Sequence, residues 1–202
     1  MAAMQIMTNI KALQRIAGAS LLAAAALMTG CAHHPMGTPV ASADNVQKAR
    51  TANISPVQMG NFTRGPAMDA ATDTKIGIRA TTIFSPYQDS FALYLRETLA
   101  TDLRAAGLLD PASPVKIDGF LTENKVDPAM SQGTGSLAAR FVVTRAGKSV
   151  YDKELRADST WESSFVGAVA IPAAINQYTA LYRKLVGKLL DDPAFRAAVG
   201  RS

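Results

Sequence analysis

The chain has 202 residues, of which 48% are hydrophobic, and its formal net charge is +5. This composition excludes a fully disordered protein and fits one domain with a tail. A single cysteine excludes an internal disulfide bond and a four-cysteine zinc site. The two histidines are adjacent, at His33 and His34, so the rest of the chain has no histidine base or histidine metal ligand. Hydrolases of the Ser-His-Asp and Cys-His types and most zinc enzymes are thereby excluded.

The first predicted element is a signal peptide at residues 1–30. Residues 1–15 contain Lys11 and Arg15 and no acidic residue, and residues 16–30 carry no charge. A basic start, a short apolar run and a small-residue end are typical of secretory signal peptides. The uncharged run is shorter than the ~20 residues that a permanent transmembrane helix needs. A buried core helix is the alternative, and the lack of a polar face disfavours it.

The predicted signal peptide ends in the residues LMTGC, at positions 27–31. This segment resembles the bacterial lipoprotein signal, in which Gly or Ala precedes an obligatory cysteine, although Met28 stands where Leu is commonest. The resemblance implies cleavage between Gly30 and Cys31 and attachment of fatty acyl chains, such as palmitate, to Cys31. At least two chains are needed for stable membrane attachment. Ala32 stands where Asp often retains such proteins at the inner membrane, which implies the periplasmic face of the outer membrane. A secreted protein with a free thiol is the alternative.

Residues 31–74 are predicted to be the lipidated cysteine followed by a flexible tether. This segment is rich in Pro, Gly and small polar residues and has no sustained hydrophobic period, which argues against packing. As a coil of about 40 residues it would have a root-mean-square reach of roughly 35 Å. Some order is predicted near residues 54–62, where the segment could lie on the domain. The pair His33-His34 is interpreted as polar linker rather than as a metal site.

The domain itself is predicted over residues 75–202. Residues 75–84 alternate between the two faces and are rich in β-branched side chains, which predicts a strand. A helix follows, with Asp89 or Ser90 as its cap and apolar residues at three- and four-residue steps. Gly107 is the predicted end of this helix.

Three further strands are predicted, at residues 115–126, 136–145 and 149–161. Each shows at least partial alternation of apolar and polar residues. The last two are joined by a hairpin turn at residues 145–148.

A second helix completes the predicted domain. The apolar segment 165–175 runs into an apolar stripe that continues to residue 190, with Pro172 in the first turn and Pro193 after the end. One more helical turn is predicted near residues 195–199. The element order β-α-β-β-β-α predicts an α+β fold, in which an antiparallel four-stranded sheet has two helices packed on one face.

Two short segments match motifs of catalysis or cofactor binding, but neither lies in the secondary structure that its motif requires. Ser113 and Lys116 match the S-x-x-K pattern of penicillin-binding enzymes, but they lie at a predicted strand and the companion motifs are missing. Gly133, Gly135 and Ala138 match the dinucleotide pattern G-x-G-x-x-A, but a strand rather than a helix follows. The carboxylates form no distinct pair. We therefore expect no enzyme activity, no catalytic residue, no cofactor and no metal.

The candidate partner contacts are Trp161, the only tryptophan, and Phe165, in the apolar segment that follows it. A tryptophan beside an apolar loop can anchor a protein partner. It can equally cover the hydrophobic core, and this second interpretation is favoured for Trp161.

The domain resembles small proteobacterial outer-membrane lipoproteins of the YajG type. The resemblance rests on the strand KIGIRATTIF, the helix FALYLRETLATDLRAAG, the paired strands around AARFVVTRAGKSVYDKEL and the terminal helix ending in LLDDPAF. The helix pair and strand order are also similar to the auxiliary lipoproteins of ABC-type lipid transporters and to the LptE-like assembly lipoproteins. These families imply binding or scaffolding, and they have no catalytic residues to carry over.

The sequence thus predicts a non-enzymatic, lipid-anchored envelope lipoprotein that presents a small α+β interaction domain in the periplasm. One alternative is an auxiliary lipoprotein of ABC-type lipid transport or outer-membrane assembly, which an apolar cleft between helix and sheet would support. Another is a peptidoglycan-binding or synthase-activating lipoprotein, which a polar groove with Arg and Asn would support. The expected partners are the membrane and an envelope protein, a transporter subunit or peptidoglycan. Nucleic acid is not expected, because loss of residues 1–30 leaves a formal charge of about +3.

Overall fold

The computed structural model describes residues 32–200, which form seven strands and five helices. The strands are β1 (Ala32–Pro35), β2 (Gln58–Arg64), β3 (Ile76–Ile78), β4 (Thr81–Phe84), β5 (Val115–Asp127), β6 (Ser131–Arg145) and β7 (Lys148–Ser163). The helices are α1 (Ala43–Thr51), α2 (Ala70–Thr74), α3 (Phe91–Ala106), α4 (Gly167–Asp191) and α5 (Pro193–Val199). Among these helices, none has the length and apolar character needed to cross a membrane.

Four strands form the larger sheet, in the order β2-β5-β6-β7. Strands β5, β6 and β7 are antiparallel neighbours, and β2 runs parallel to β5 at one edge. The predicted hairpin between β6 and β7 is confirmed. Its turn residues Ala146 and Gly147 have φ values of 48° and 79°, the positive values that a type I′ turn requires at both central positions.

Helices α3 and α4 contact this sheet, α3 at β2 and β5 and α4 at β6 and β7. The hydroxyl of Ser90 accepts a hydrogen bond from the N–H of Leu93 at 3.2 Å and caps α3, and Gly107, with a φ of 76°, ends it. Both predicted ends of α3 are therefore confirmed. Asp192 follows α4 and caps α5, because its carboxylate accepts two backbone N–H groups of the next turn.

Pro172 lies inside α4 and not in its first turn. The sequence prediction was wrong here because the helix already begins at Gly167, within the apolar segment. Proline has no N–H, so the carbonyl of Ala168 has no partner in the helical hydrogen-bond pattern. Ala168 is exposed, so solvent can reach this part of the helix.

The prediction of one antiparallel four-stranded sheet with two helices was wrong in its first strand. Residues 75–84 form the two short strands β3 and β4, which meet at a tight turn where Arg79 has a φ of 54°. The reversal buries Ile78 and Ile83 together and builds a second sheet, in the order β1-β4-β3. The edge position in the larger sheet is taken by β2 instead. The described residues thus have a mixed α+β fold with two sheets and five helices.

Residues 36–74 do not form the predicted flexible tether. Met36, Ile54, Val57 and Phe62 are all 3% exposed or less and belong to the hydrophobic core. The composition was misleading because the apolar residues of this segment are few and widely spaced. Each one nevertheless packs against the rest of the domain, which stabilises the segment by burial of apolar surface.

A buried polar contact attaches α1 to the domain. The amide of Asn45 donates to Asp102 at 2.8 Å and to the carbonyl of Arg183 at 3.0 Å, and the N–H of Ser42 donates to Asp102 at 2.8 Å. Asn45 and Asp102 are 2% and 1% exposed. Burial raises the pKa of Asp102, while the hydrogen bonds from Ser42 and Asn45 oppose the shift. Since Asp102 lies on α3 and Arg183 on α4, this contact joins three helices.

Aromatic side chains fill the space between the helices and the larger sheet. The hydroxyl of Tyr178 donates to Asn124 at 2.8 Å and lies 2.7 Å from the hydroxyl of Tyr182, and the amide of Asn124 donates to the carbonyl of Thr72 at 2.7 Å. The rings of Tyr94 and Tyr182 meet edge to face, with centroids 4.8 Å apart. Burial raises the pKa of Tyr182 well above its usual value. This interior is a packed aromatic core with a satisfied hydrogen-bond chain.

Candidate interaction surface

The predicted lipidation residue Cys31 and the cleavage residue Gly30 lie outside the described residues. The described part begins one residue later, with β1. The N–H of Met36, directly after β1, donates to the carbonyl of Phe84 at 2.9 Å, and the Met36 side chain is 3% exposed. The described fold therefore begins within a few residues of Cys31.

Trp161 and Phe165, the two predicted contact residues, differ in burial. Trp161 is 8% exposed and packs on Gly133 of the neighbouring strand, where an added Cβ would lie 2.3 Å from the indole ring. Its indole N–H is buried and has no hydrogen-bond partner in the described part of the chain. Trp161 is therefore a core residue and presents little surface to a partner, whereas Phe165 is 74% exposed.

Phe165 belongs to a cluster of exposed apolar side chains at one end of the larger sheet. Val166 and Val169 follow it and are each 60% exposed, and Met130, in the loop between β5 and β6, is 66% exposed. Because β6 begins opposite the end of β7, this loop lies beside the segment that leads into α4. These four residues, here named the apolar end patch, make up four of the six large apolar side chains that are exposed in the described residues. Exposed apolar clusters of this kind are candidate interaction surfaces.

Arg79 connects the two segments that carry the apolar end patch. Its guanidinium donates to the carbonyl of Pro128 at 3.3 Å, to the hydroxyl of Ser163 at 3.0 Å and to the carbonyls of Ser164 and Phe165 at 2.6 and 3.5 Å. Its left-handed backbone costs roughly 1–2 kcal/mol for a residue other than glycine. The sequence analysis missed this residue, because an arginine within an apparent strand gives no signal for such a role.

The start of α4 lacks a side-chain cap. Val166 occupies the cap position and makes no side-chain capping bond. Ser, Thr, Asp or Asn usually stands there, and their capping bond contributes about 1 kcal/mol. The hydroxyl of Ser164 accepts the N–H of Val166 at 3.1 Å, which satisfies one backbone donor just before the helix. Val166 thus contributes an exposed apolar side chain at a position where a polar side chain would stabilise the helix.

The outer face of the larger sheet carries a network of paired charges. The carboxylate of Glu123 contacts Arg156 and Lys125 and accepts the hydroxyl of Ser136 at 2.7 Å, and Arg156 also contacts Asp158 at 2.8 Å. Burial alone would raise the pKa of Glu123, but the hydrogen bonds from Ser136 and Lys125 and the charge of Arg156 outweigh it and lower the pKa. Such pairing is typical of a solvated sheet face.

A groove of about 500 Å³ lies beside β2 and α3. Its lining combines polar and apolar side chains, namely Gln58, Asn61, Arg96, Lys116, Met59, Phe62 and Leu93. The guanidinium of Arg96 donates to the carbonyl of Gly60 at 3.1 Å, which fixes its position at the groove. The groove therefore offers hydrogen-bonding groups beside apolar surface.

The residues of the apparent catalytic and cofactor motifs have other roles. The hydroxyl of Ser113 donates to the carbonyl of Pro56 at 2.6 Å, whereas Lys116 pairs with its strand neighbour Asp118 at 3.0 Å. Gly133 and Gly135 lie within β6, where the close packing of Trp161 and Leu181 leaves no room for a side chain. Residues 32–200 contain no group of three His, Cys, Asp or Glu side chains placed to hold a metal ion.

No family model matches the chain, and no curated protein matches it with significance. A Xanthomonas campestris protein of the family DUF330 is 13% identical, with a TM-score of 0.51 over 78% of this chain and 94% of that one. A candidate lipoprotein from Caulobacter crescentus is 13% identical, with a TM-score of 0.44 over 76% and 95%. A minor lipoprotein from Acinetobacter baumannii is 12% identical, with a TM-score of 0.38 over 72% and 91%. Of these three, only the first has a TM-score above 0.5, and at its low identity it supports the fold alone.

Proposed function

We propose that this chain is a lipid-anchored lipoprotein of the bacterial envelope, which acts in the periplasm by binding rather than by catalysis. The observation that carries the proposal is the sequence LMTGC at positions 27–31, because the only cysteine of the chain stands at its end. A basic, then apolar, leader precedes it. Acylation of Cys31 with two or more chains would hold the protein stably at a membrane.

The buried position of Met36 limits the distance between the domain and this anchor. Five residues lead from Cys31 to Met36, and a fully extended chain of that length spans about 18 Å. The domain would then stay close to the lipid surface. This differs from the roughly 35 Å that a flexible tether would have allowed.

The direct test is the chemical state of Cys31. Cells that express the protein are grown with radiolabelled palmitate, and the intact mass of the purified protein is measured. We expect a chain that begins at Cys31, carries acyl chains and remains in the membrane fraction. Cys31→Ser should abolish labelling and membrane retention, whereas His34→Ser, a control three residues away, should leave both unchanged. An unmodified Cys31 would overturn the proposal.

We further propose the outer membrane as the destination, since Ala32 follows the cysteine. The test is density-gradient separation of the two membranes. The native protein should sediment with the outer membrane, and Ala32→Asp should move it to the inner membrane. An equal distribution of both proteins would contradict this assignment.

The groove beside β2 holds Asn61 and Arg96 and favours a second candidate, which is binding of peptidoglycan by the same anchored domain. Asn61 and Lys116 offer the hydrogen-bond donors that a polar glycan or peptide requires. Purified cell-wall sacculi should retain the native protein, and Asn61→Ala combined with Lys116→Ala should reduce retention at least five-fold. Lys125→Ala, which removes an exposed lysine on the outer face of the larger sheet, is the control. Equal retention of all three proteins would exclude the groove as the binding site.

A further inference from the structure

The start of β1 lies at the same end of the domain as the apolar end patch. β1 pairs with β4, and the N–H of Met36, just after β1, bonds to the carbonyl of Phe84, the last residue of β4. Because β1 and β4 are neighbours and their last residues meet, the two strands run in the same direction. The start of β1 therefore lies beside Thr81, the first residue of β4. Thr81 comes two residues after Arg79, whose guanidinium contacts the carbonyl of Phe165. One arginine side chain, two residues of backbone and one strand spacing therefore separate the start of β1 from the patch, about 20 Å in all.

We infer that the apolar end patch inserts into the leaflet that holds the lipidated Cys31, so that the domain has a second contact with the membrane. This inference rests on the proposed lipidation. The chain that precedes β1 ends in the anchor, so the anchor holds this end of the domain against the lipid surface. Exposed Phe and Val side chains at the start of a helix are suited to the boundary between headgroups and acyl chains.

The charge around the patch specifies how it would bind. None of its four residues is charged, and the guanidinium of Arg79 is directed at protein carbonyls and a hydroxyl. The exposed charged residues Asp127 and Glu162, each three residues before a patch residue, are acidic, so anionic lipid would not attract them and insertion would depend on apolar surface. We expect binding to zwitterionic vesicles that does not change with salt concentration.

The unusual start of α4 fits the same environment. Val166 gives up the capping bond that a polar residue would make and contributes an apolar side chain to the patch. In water, valine at the cap position makes the helix less stable than a capping residue would, and nothing offsets this loss. At a lipid surface the Val166 side chain would be buried among acyl chains, and this burial would offset the missing capping bond.

The test uses the full lipidated protein in phosphatidylcholine vesicles. Since acylation consumes the only native thiol, a single introduced cysteine can be labelled alone with an environment-sensitive fluorophore. Val169→Cys and Met130→Cys report on the patch. Val150→Cys is the matched control, because Val150 is 44% exposed and lies near the β6–β7 turn, at the opposite end of the larger sheet.

At positions 169 and 130 we expect a blue shift of the emission and at least two-fold quenching by nitroxide-labelled lipid, with neither effect at position 150. Similar, water-like emission at all three positions would overturn the inference and leave the lipidation, read from the intact mass, in place. A blue shift that depends on protein density and resists the lipid quencher would also overturn it, since a protein would then cover the patch. An unmodified Cys31 in the mass spectrum would remove both the anchor and this inference.

A variant without a label provides an independent measurement. Phe165→Asp combined with Val169→Asp should make the domain more accessible to added protease at the membrane, at least three-fold in cleavage rate. The fluorescence of the buried Trp161 checks that the variant is folded. Unchanged cleavage in a folded variant would count against insertion.

Discussion

Asp102→Ala should destabilise the protein by about 2–3 kcal/mol, because Asp102 is the shared acceptor that holds α1 to the domain. The carboxylate accepts the N–H of Ser42 and the amide of Asn45, both at 2.8 Å, and is 1% exposed. Hydrogen bonds to a charged group contribute about 1.5–3 kcal/mol each, and release of the buried charge offsets part of their loss. Asn45 keeps its second acceptor, the carbonyl of Arg183, at 3.0 Å, which also limits the effect.

The measurement is urea unfolding of the two variants Asp102→Ala and Asp44→Ala. Asp44 is the control, since it lies on α1, the helix that Asp102 is proposed to hold, and forms an exposed ion pair with Lys48; its loss should cost about 0.5 kcal/mol or less. A double-mutant cycle with Asn45→Ala should give a coupling of about 1–2 kcal/mol. Equal stability of the two single variants would refute the attachment of α1 through Asp102.

Asp102 also predicts an unusual dependence on pH. Burial raises its pKa, although the bonds from Ser42 and Asn45 oppose this, so the folded state holds the proton more tightly than the unfolded chain does. The stability that this carboxyl contributes is therefore present in full below about pH 3.8 and falls as the pH rises through its folded pKa. The destabilisation by Asp102→Ala should accordingly be larger at pH 3 than at pH 7. A penalty that grows with pH would contradict this reasoning.

Two further substitutions test other parts of the fold. Asp192→Asn should cost about 1–2 kcal/mol at pH 7; burial would raise the pKa of Asp192, but its hydrogen bonds to Lys153 and to backbone N–H groups lower it. In urea unfolding, the cost should shrink as the pH falls below about 3.8, and a constant cost would contradict the assignment. Gly133→Ala should destabilise the protein by about 1–3 kcal/mol and shift the emission of Trp161, since the new Cβ would meet the indole at 2.3 Å. Gly77→Ala, which meets nothing within 4 Å, is its control, and equal spectra would exclude the contact.

Local signals were sufficient for the parts of the fold that form over short distances in sequence. The cap at Ser90, the apolar stripe and Gly107 together define α3, and each of these features acts within one helical turn of its position. The turn at residues 146–147 is another case, because the positive φ of both residues is a local property. The sequence predicted these elements because their determinants are local.

Long-range pairing explains the elements that the sequence did not reveal. Strand β2 has one buried side chain, Phe62, and its position at the sheet edge depends on parallel pairing with β5, more than 50 residues later. The turn at Arg79 contains no Gly, Pro or Asn, so residues 75–84 have the pattern of one continuous strand. Its left-handed backbone is held by contacts to residues 128 and 163–165, which only the folded chain brings together.

The candidate surface was predicted only in part for the same reason. Phe165 was identified because it begins an apolar run, and a run is visible in sequence. Met130 lies more than 30 residues away and joins Phe165 only through the pairing of β6 with β7. Trp161 drew attention as the only tryptophan, but its position in a strand directs it inward, onto Gly133. Exposure, which distinguishes Phe165 from Trp161, is a property of the tertiary structure.

The lack of a long tether changes how such a domain would reach a partner. With the apolar end patch at the lipid surface, β6 extends from Ser131 at that end to Arg145 at the other, a span of about 45 Å for an extended strand. Distance from the membrane would then come from the length of the sheet and not from a flexible chain. A rigid support holds the β6–β7 turn at a fixed height, and binding there would not have to restrict a mobile tether of roughly 40 residues. Lengthening the chain between Cys31 and Met36 would remove this advantage without altering the domain.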